Sequence, residues 1–212
     1  VPFAAVVGCA DARVPVELIF SEGPNDLFVV RIAGNGLGDD VLGSLNYATE
    51  HLKDSLRTIL VLGHSECGAV SAAVDVYLTP AKYLGLMTQK DLRHTLDRLL
   101  VVVQSGSAWL ERVHGEAVIR SPGYRAGLIE FVVALNAALT ANGILLTLGA
   151  ESRSRISVLH GIYLLNEHLV WCPRPDTEWH GLAPAPTDAE ELVMLCNAVA
   201  ASPRIHNILN GG

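Results

Sequence analysis

The chain has 212 residues, half of them apolar and 17% charged, with a formal net charge of −7. That composition argues against a disordered chain. The acidic balance, with no run of four or more Lys/Arg, argues against a nucleic-acid binder, which needs basic stripes to neutralise phosphates. No uninterrupted apolar stretch reaches the ~18 residues of a transmembrane helix, so no membrane partner is expected. The length suits one α/β domain over 1–212 rather than two. Four cysteines in a chain this long read as metal ligands or free thiols in a reducing compartment, the cytoplasm, rather than as a disulfide scaffold. The chain starts at Val1, almost inside its first strand, so an N-terminal segment carrying any targeting signal is expected to be missing.

In chain order, Val1–Cys9 is a nearly continuous apolar run, the pattern of a strand covered on both faces. DLFVVRIAGN, Asp26–Asn35, reads as a second strand broken by Gly34. Asp39–Leu52 carries apolar residues at 41, 42, 45, 48 and 52, helical spacing with acidic residues at the favourable end. Arg57–His64 is a third strand, and Ser65–Leu78 a helix of small residues suited to close packing on a sheet. The segment 79–127 reads as an atypical helical insertion; Lys90–Val113 within it is helical in pattern, with a break expected at Ser105–Ser107. Tyr124–Gly143 is a strong helix with Gly143 placed to end it. Arg155–Leu165 is a fourth strand and His168–Cys172 a short partner after a turn. Pro173, Pro175, Pro184 and Pro186 mark a loop-like tail before a last helix, Thr187–Ala201, with an N-cap and an acidic first turn. Strands alternating with helices predict a mainly parallel twisted sheet of four to five strands flanked by helices.

Chemistry-bearing residues gather where two of these strands end. GCADAR places Cys9, Asp11 and Arg13 after the first strand, and GHSECGAV places His64 and Cys67 after the third. Ligands of open parallel sheets bind outside the carboxyl ends of strands, and neighbouring strands lie about 5 Å apart. Singly, each residue has a bland reading: a small core cysteine, a hydrogen-bonded histidine, a local Asp–Arg pair. Jointly, two thiolates and one imidazole make a tetrahedral zinc set with one open position, and an open position marks a catalytic rather than a structural site. Cys67, at a helix start, sits where a thiolate is favoured. An ionised Asp11 accepts but does not donate hydrogen bonds, so beside the open position it favours a water or hydroxide, and a pair with Arg13 would hold it off the metal. A fourth ligand from Cys172 would instead close the site. Cys196 reads as structural, and His51 either as a solvated helix residue or as a proton carrier. RIAGNG is a weak phosphate-loop pattern, better read as a tight turn.

These motifs resemble the β-class carbonic anhydrases: CADAR fits the family's C-x-D-x-R and GHSECGAV its H-x-x-C. DLFVVRIAGN, GSLNYATEHL and VLHGIYLLNEHLVW fit its intervening and closing segments. The resemblance implies zinc on Cys9, His64 and Cys67, an Asp11–Arg13 catalytic dyad, and reversible hydration of carbon dioxide to bicarbonate through zinc-bound hydroxide. It also implies a homodimer or higher homo-oligomer whose pocket is partly lined by a neighbouring subunit. Phe28, Ala33, Tyr47 and Gly68 match the family's pocket positions. Val6 stands where some bacterial members carry the tryptophan of a regulatory bicarbonate site, so that site is not expected. Two alternatives accompany this reading: hydrolysis of COS or CS2 on the same metal motif, and a catalytically dead zinc-stabilised interaction or sensor protein.

Overall fold

Apolar runs without alternation need cover on both faces, and the two motif-bearing strands receive it. In a computed structural model describing residues 1–86, 88–172 and 181–211, the strand β1 (Ala4–Gly8) is buried throughout. The chain continues through a short helix α1 (Val16–Ile19), β2 (Leu27–Arg31), α2 (Asp39–His51), β3 (Thr58–His64) and α3 (Gly68–Leu78). Then come α4 (Lys90–His114), α5 (Tyr124–Thr147), α6 (Ala150–Arg155), β4 (Ser157–Leu164), β5 (Leu169–Trp171), β6 (Ala183–Pro184), α7 (Ala189–Ala200) and α8 (Pro203–Leu209).

The sheet runs β2-β1-β3-β4-β5, with β6 also pairing β4. β2, β1, β3 and β4 are mutually parallel, while β5 and β6 run antiparallel to β4. The two-residue β6 takes the sheet one strand beyond the four to five expected. Ala5, Val7, Ile59 and Val61 pack on one face against Val41, Leu45 and Ala48 of α2 and Ala137 and Ala141 of α5. Val6, Leu60 and Leu62 point the other way, against Val14, Val16 and Tyr163. Among the described residues, that second face is covered by α1 and loops rather than by a full helical layer. α5 has the length and hydropathy of a membrane span, yet 78% of its apolar window is buried inside this chain; it is the central core helix.

Two expected helix boundaries are corrected. The break at Ser105–Ser107 does not occur, and α4 runs unbroken over 25 residues. Ser105 Oγ returns its hydrogen to Val101 O at 3.0 Å within the helix, and Ser107 Oγ meets Tyr77, Glu111 and Tyr124 hydroxyl or carboxylate oxygens at 2.9–3.0 Å. Gly106 faces α5 so closely that a Cβ there would stand 3.0 Å from Val132 Cγ2 and 3.1 Å from Phe131 Cδ1. These small residues are the seam of a helix pair, not a terminator. Gly106→Val is therefore expected to lower unfolding free energy by about 1–3 kcal/mol, the usual cost of overpacking, measurable by urea denaturation. Likewise α5 does not stop at Gly143 but continues to Thr147; a Cβ on Gly143 would lie 2.9 Å from Leu37 Cδ2, so this glycine serves packing. The last helix forms where its N-cap and acidic first turn predict: Asp188 Oδ1 accepts the Glu191 amide at 2.9 Å as its N-cap. The expected loop at Pro173 and Pro175 lies outside the described residues.

Candidate metal centre

The parallel pairing of β1 and β3 sets Gly8 opposite Leu62, so the residues that follow each strand emerge side by side. Cys9 is the first residue past β1, His64 the last of β3, and Cys67 the N-cap of α3. All three are buried, at 5%, 0% and 1% exposure. Their ligand atoms lie within 4.8 Å of one another; this is the cluster found among the described residues. The two sulfurs are 3.9 Å apart, and a tetrahedral zinc with Zn–S bonds of about 2.3 Å would space them by about 3.8 Å.

The imidazole is turned to coordinate. His64 Nδ1 sits 2.9 Å from the Ser65 carbonyl, which accepts only, so Nδ1 carries the proton and Nε2 the bare lone pair. Nε2 is buried with no hydrogen-bond partner. An orphaned nitrogen facing two sulfurs fits a metal ligand and is costly otherwise. The sulfurs are supported in turn: the amides of Asp11 and Gly34 reach Cys9, and those of Ala69 and Val70, in the first turn of α3, reach Cys67. The contact with Cys67 draws the Cys9 thiol pKa down despite its burial. The same contact with Cys9, and then burial, pushes the Cys67 thiol up. Two sulfurs this close cannot both carry charge without a cation between them, which a dication would supply.

Asp11 stands over this cluster, its Oδ2 4.0 Å from His64 Nε2. Arg13 grips it with a fork: Nε to Oδ1 at 3.0 Å and Nη2 to Oδ2 at 2.8 Å, with the Arg13 amide also reaching Oδ1 at 2.9 Å. Chiefly because of that fork, the Asp11 carboxyl is held well below the usual carboxylate range. The pairing expected from D-x-R is thus formed, with the carboxylate tied toward arginine.

The other sequence-derived positions are less concentrated. Gly68 directly follows Cys67 and opens α3. Ala33 begins the turn Ala33–Asn35 after β2, where Gly34 takes φ +69°. Phe28 pairs with Ala5, four residues before Cys9, and thus lies about 13 Å down the strand from the sulfurs. It stacks with Tyr47 at 6.4 Å, which stacks on His51 at 4.2 Å, and Tyr47 is 55% exposed. One chain therefore does not bring Phe28 and Tyr47 to its own metal cluster. Cys172 is not a fourth member: it is fully buried with Sγ 3.9 Å from His160 Nδ1.

Sequence reasoning missed the groups that hold the loops. Arg31, at the end of β2, donates from Nε to the Cys9 carbonyl at 3.0 Å and from Nη2 to the Asp11 carbonyl. Asn136 Nδ2 donates to Gly34 O at 2.9 Å. Glu130, 7% exposed on α5, accepts the Glu66 amide at 3.2 Å. The available signal was polarity out of place, an Arg closing an apolar strand and a lone Glu and Asn in LIEFVVALNAAL.

The sequence pattern of the family described as carbonic anhydrase matches residues 4–118, which span β1, β3 and all three candidate ligands. This chain belongs to the β-class carbonic anhydrase family. Among carbonic anhydrase relatives, carbonic anhydrase 2 of Mycobacterium tuberculosis is 37% identical over 136 residues, covering 54% of this chain and 65% of that protein. The carbonic anhydrase of Mycolicibacterium smegmatis is 51% identical over 73 residues, 34% of each chain. The chain thus spans just under two-thirds of the first and about a third of the second. Among solved structures, the β-carbonic anhydrase CcaA superposes with a TM-score of 0.61 at 25% identity, over 87% of this chain and 84% of that one.

Proposed function

We propose that this chain is a zinc-dependent carbonic anhydrase, catalysing the reversible reaction CO2 + H2O ⇌ HCO3− + H+. One observation carries the proposal: a buried, partnerless imidazole nitrogen facing two sulfurs 3.9 Å apart, with an arginine-clamped carboxylate 4.0 Å from that nitrogen. Cys9, His64 and Cys67 would hold the metal. A bound zinc supplies Lewis acidity that makes water a nucleophile near neutral pH, a known property of zinc in carbonic anhydrases that use three histidines.

The remaining work falls to the protein. Asp11, kept ionised by Arg13, accepts only, so a water beside it must point a proton at the carboxylate and leave a lone pair for the carbon of CO2. Arg13 keeps the carboxylate from turning onto the metal ligands. Carbon dioxide needs an apolar wall, which one chain does not complete. The exposed Tyr47, stacked on the half-buried Phe28 of β2, the sheet's edge strand, suits contact with a second copy that supplies such a wall, and on this reading the protein works as a homo-oligomer. Ala33 and Gly68 border the ligands from the same chain.

Stopped-flow hydration of CO2 by zinc-loaded protein, with COS and CS2 as parallel substrates, tests the assignment. Fast turnover of CO2 and slow turnover of the sulfur substrates are expected. The reverse preference would reassign the substrate, and inertness toward all three would leave a zinc-stabilised protein without catalysis.

A further inference from the structure

The H-x-x-C loop carries an unusual backbone. Glu66, between the histidine and the second cysteine, has φ +57°, a left-handed conformation that a non-glycine residue keeps only when its surroundings impose it. Beside the side-chain contact from Asn166 Nδ2 to Glu66 Oε1 at 3.2 Å and those from Arg13 to Glu66, three contacts hold the loop. The Ser65 amide donates to Tyr163 O at 3.0 Å, Ser65 Oγ accepts the Leu165 amide at 2.9 Å, and the Glu66 amide donates to Glu130 Oε1 at 3.2 Å. The first two come from β4 and the turn after it. The third is different in kind: a buried carboxylate, on the central helix, aimed at one main-chain N–H beside a metal ligand.

Glu130 does not stand alone. Its Oε2 accepts Arg204 Nε at 3.2 Å, and Arg204 Nη1 donates to Glu167 Oε1 at 2.7 Å. Arg204 lies on α8, near the end of the chain, and Glu167 in the turn between β4 and β5. α8 is seated against α5 at Gly123 and Gly127, where a Cβ would overlap the Ile208 carbonyl or press on Leu209 Cδ2 at 2.8 Å. A continuous polar strut therefore runs from α8 through Arg204 and Glu130 to the loop holding His64 and Cys67.

We infer that Glu130 and Arg204 are positioning residues of the metal site, fixing the H-x-x-C loop so that Cys67 meets Cys9 and His64 at coordinating distance. The inference rests on the metal reading of those three residues. A buried carboxylate keeps its rotamer when its second oxygen is held by a cation, so Arg204 acts through Glu130, and Glu130 through the Glu66 amide. The strut tunes how well the loop binds metal, beyond holding helices together. Partners one step removed from a ligand typically change metal affinity by about 10–100-fold when lost.

The test compares metal affinity, by chelator competition, and the visible spectrum of the cobalt(II)-substituted protein, whose bands report thiolate geometry. Glu130→Leu and Arg204→Met are expected to weaken cobalt and zinc binding by about tenfold or more and to shift the cobalt bands. Glu130→Gln, which keeps one acceptor oxygen for the Glu66 amide but loses the acceptor for Arg204, is expected to weaken binding less than Glu130→Leu and about as much as Arg204→Met. Arg125→Gln serves as control: it cuts the Arg125–Asp75 pair that joins α3 to α5 and leaves both readouts unchanged. Should Glu130→Leu fail to fold, Arg204→Met decides alone. A folded Arg204→Met with wild-type affinity and spectrum overturns the inference, as does an equal effect in Arg125→Gln. Wild-type protein that binds neither metal would instead overturn the metal reading itself.

Discussion

His64→Ala is expected to yield folded protein that no longer carries stoichiometric zinc and has lost all fast CO2 turnover. The imidazole sits at the tip of β3 with no exposure, and its free nitrogen is the group completing the sulfur pair. Removing it leaves two sulfurs alone, a set too small for a tetrahedral site. The loss of affinity should exceed the ~100-fold upper range for a supporting residue. Cys9→Ser should behave alike with almost no change in volume, which separates the metal effect from the cavity left by His64→Ala. Metal analysis after purification under reductant, alongside circular dichroism, is the check. Stoichiometric zinc in either folded variant would refute the ligand assignment.

Asp11→Asn should show the opposite separation: zinc retained, rate lost. An amide offers Arg13 one acceptor oxygen in place of two, and its NH2 can donate toward the nucleophilic water, turning the reactive lone pair away from substrate. A fall in kcat/KM of about 100-fold or more is in the range for a lost proton-handling group. The pH dependence separates two roles. Because Arg13 lowers the Asp11 pKa, the carboxylate is ionised throughout the neutral range, and the wild-type rate should show no limb from this residue above about pH 4. The sign for stability is the same: the pair's contribution is present above the ordinary carboxylate pKa and is lost only as pH falls through the lowered one. Arg13 is half exposed, so that contribution is small, and the rate is the better readout. An unchanged kcat/KM in Asp11→Asn would remove the residue from the mechanism.

What could be read in advance was governed by range. The strands β1 and β3 were legible because unbroken apolar runs have few other uses, and the candidate ligands could be proposed because Cys9 and His64 stand at the ends of such runs with Cys67 three residues on. Helix ends were less so. Ser105, Gly106 and Ser107 carry the local chemistry of a break, yet contacts from α3 and α5 decide their state, and these lie far away in sequence. Short α1, α6 and α8 have too few residues for periodicity to register. The second layer of the site was invisible for the same reason. Arg31, Glu130 and Arg204 gain their roles only when strands and helices 20 to 74 residues apart are brought together.

The order of the strands has a bearing on how metal would ever leave. β1 and β3 are interior members of the sheet, each laddered on both sides, and interior strands open only with the largest free-energy fluctuations of a domain. Amide hydrogen exchange along Val6–Gly8 and Leu60–Leu62 should accordingly be among the slowest in the molecule. Two of the three candidate ligand positions are then tied to near-global unfolding, so escape of a bound ion would begin at the remaining one, with fraying of the first turn of α3 and Cys67 letting go before its companions.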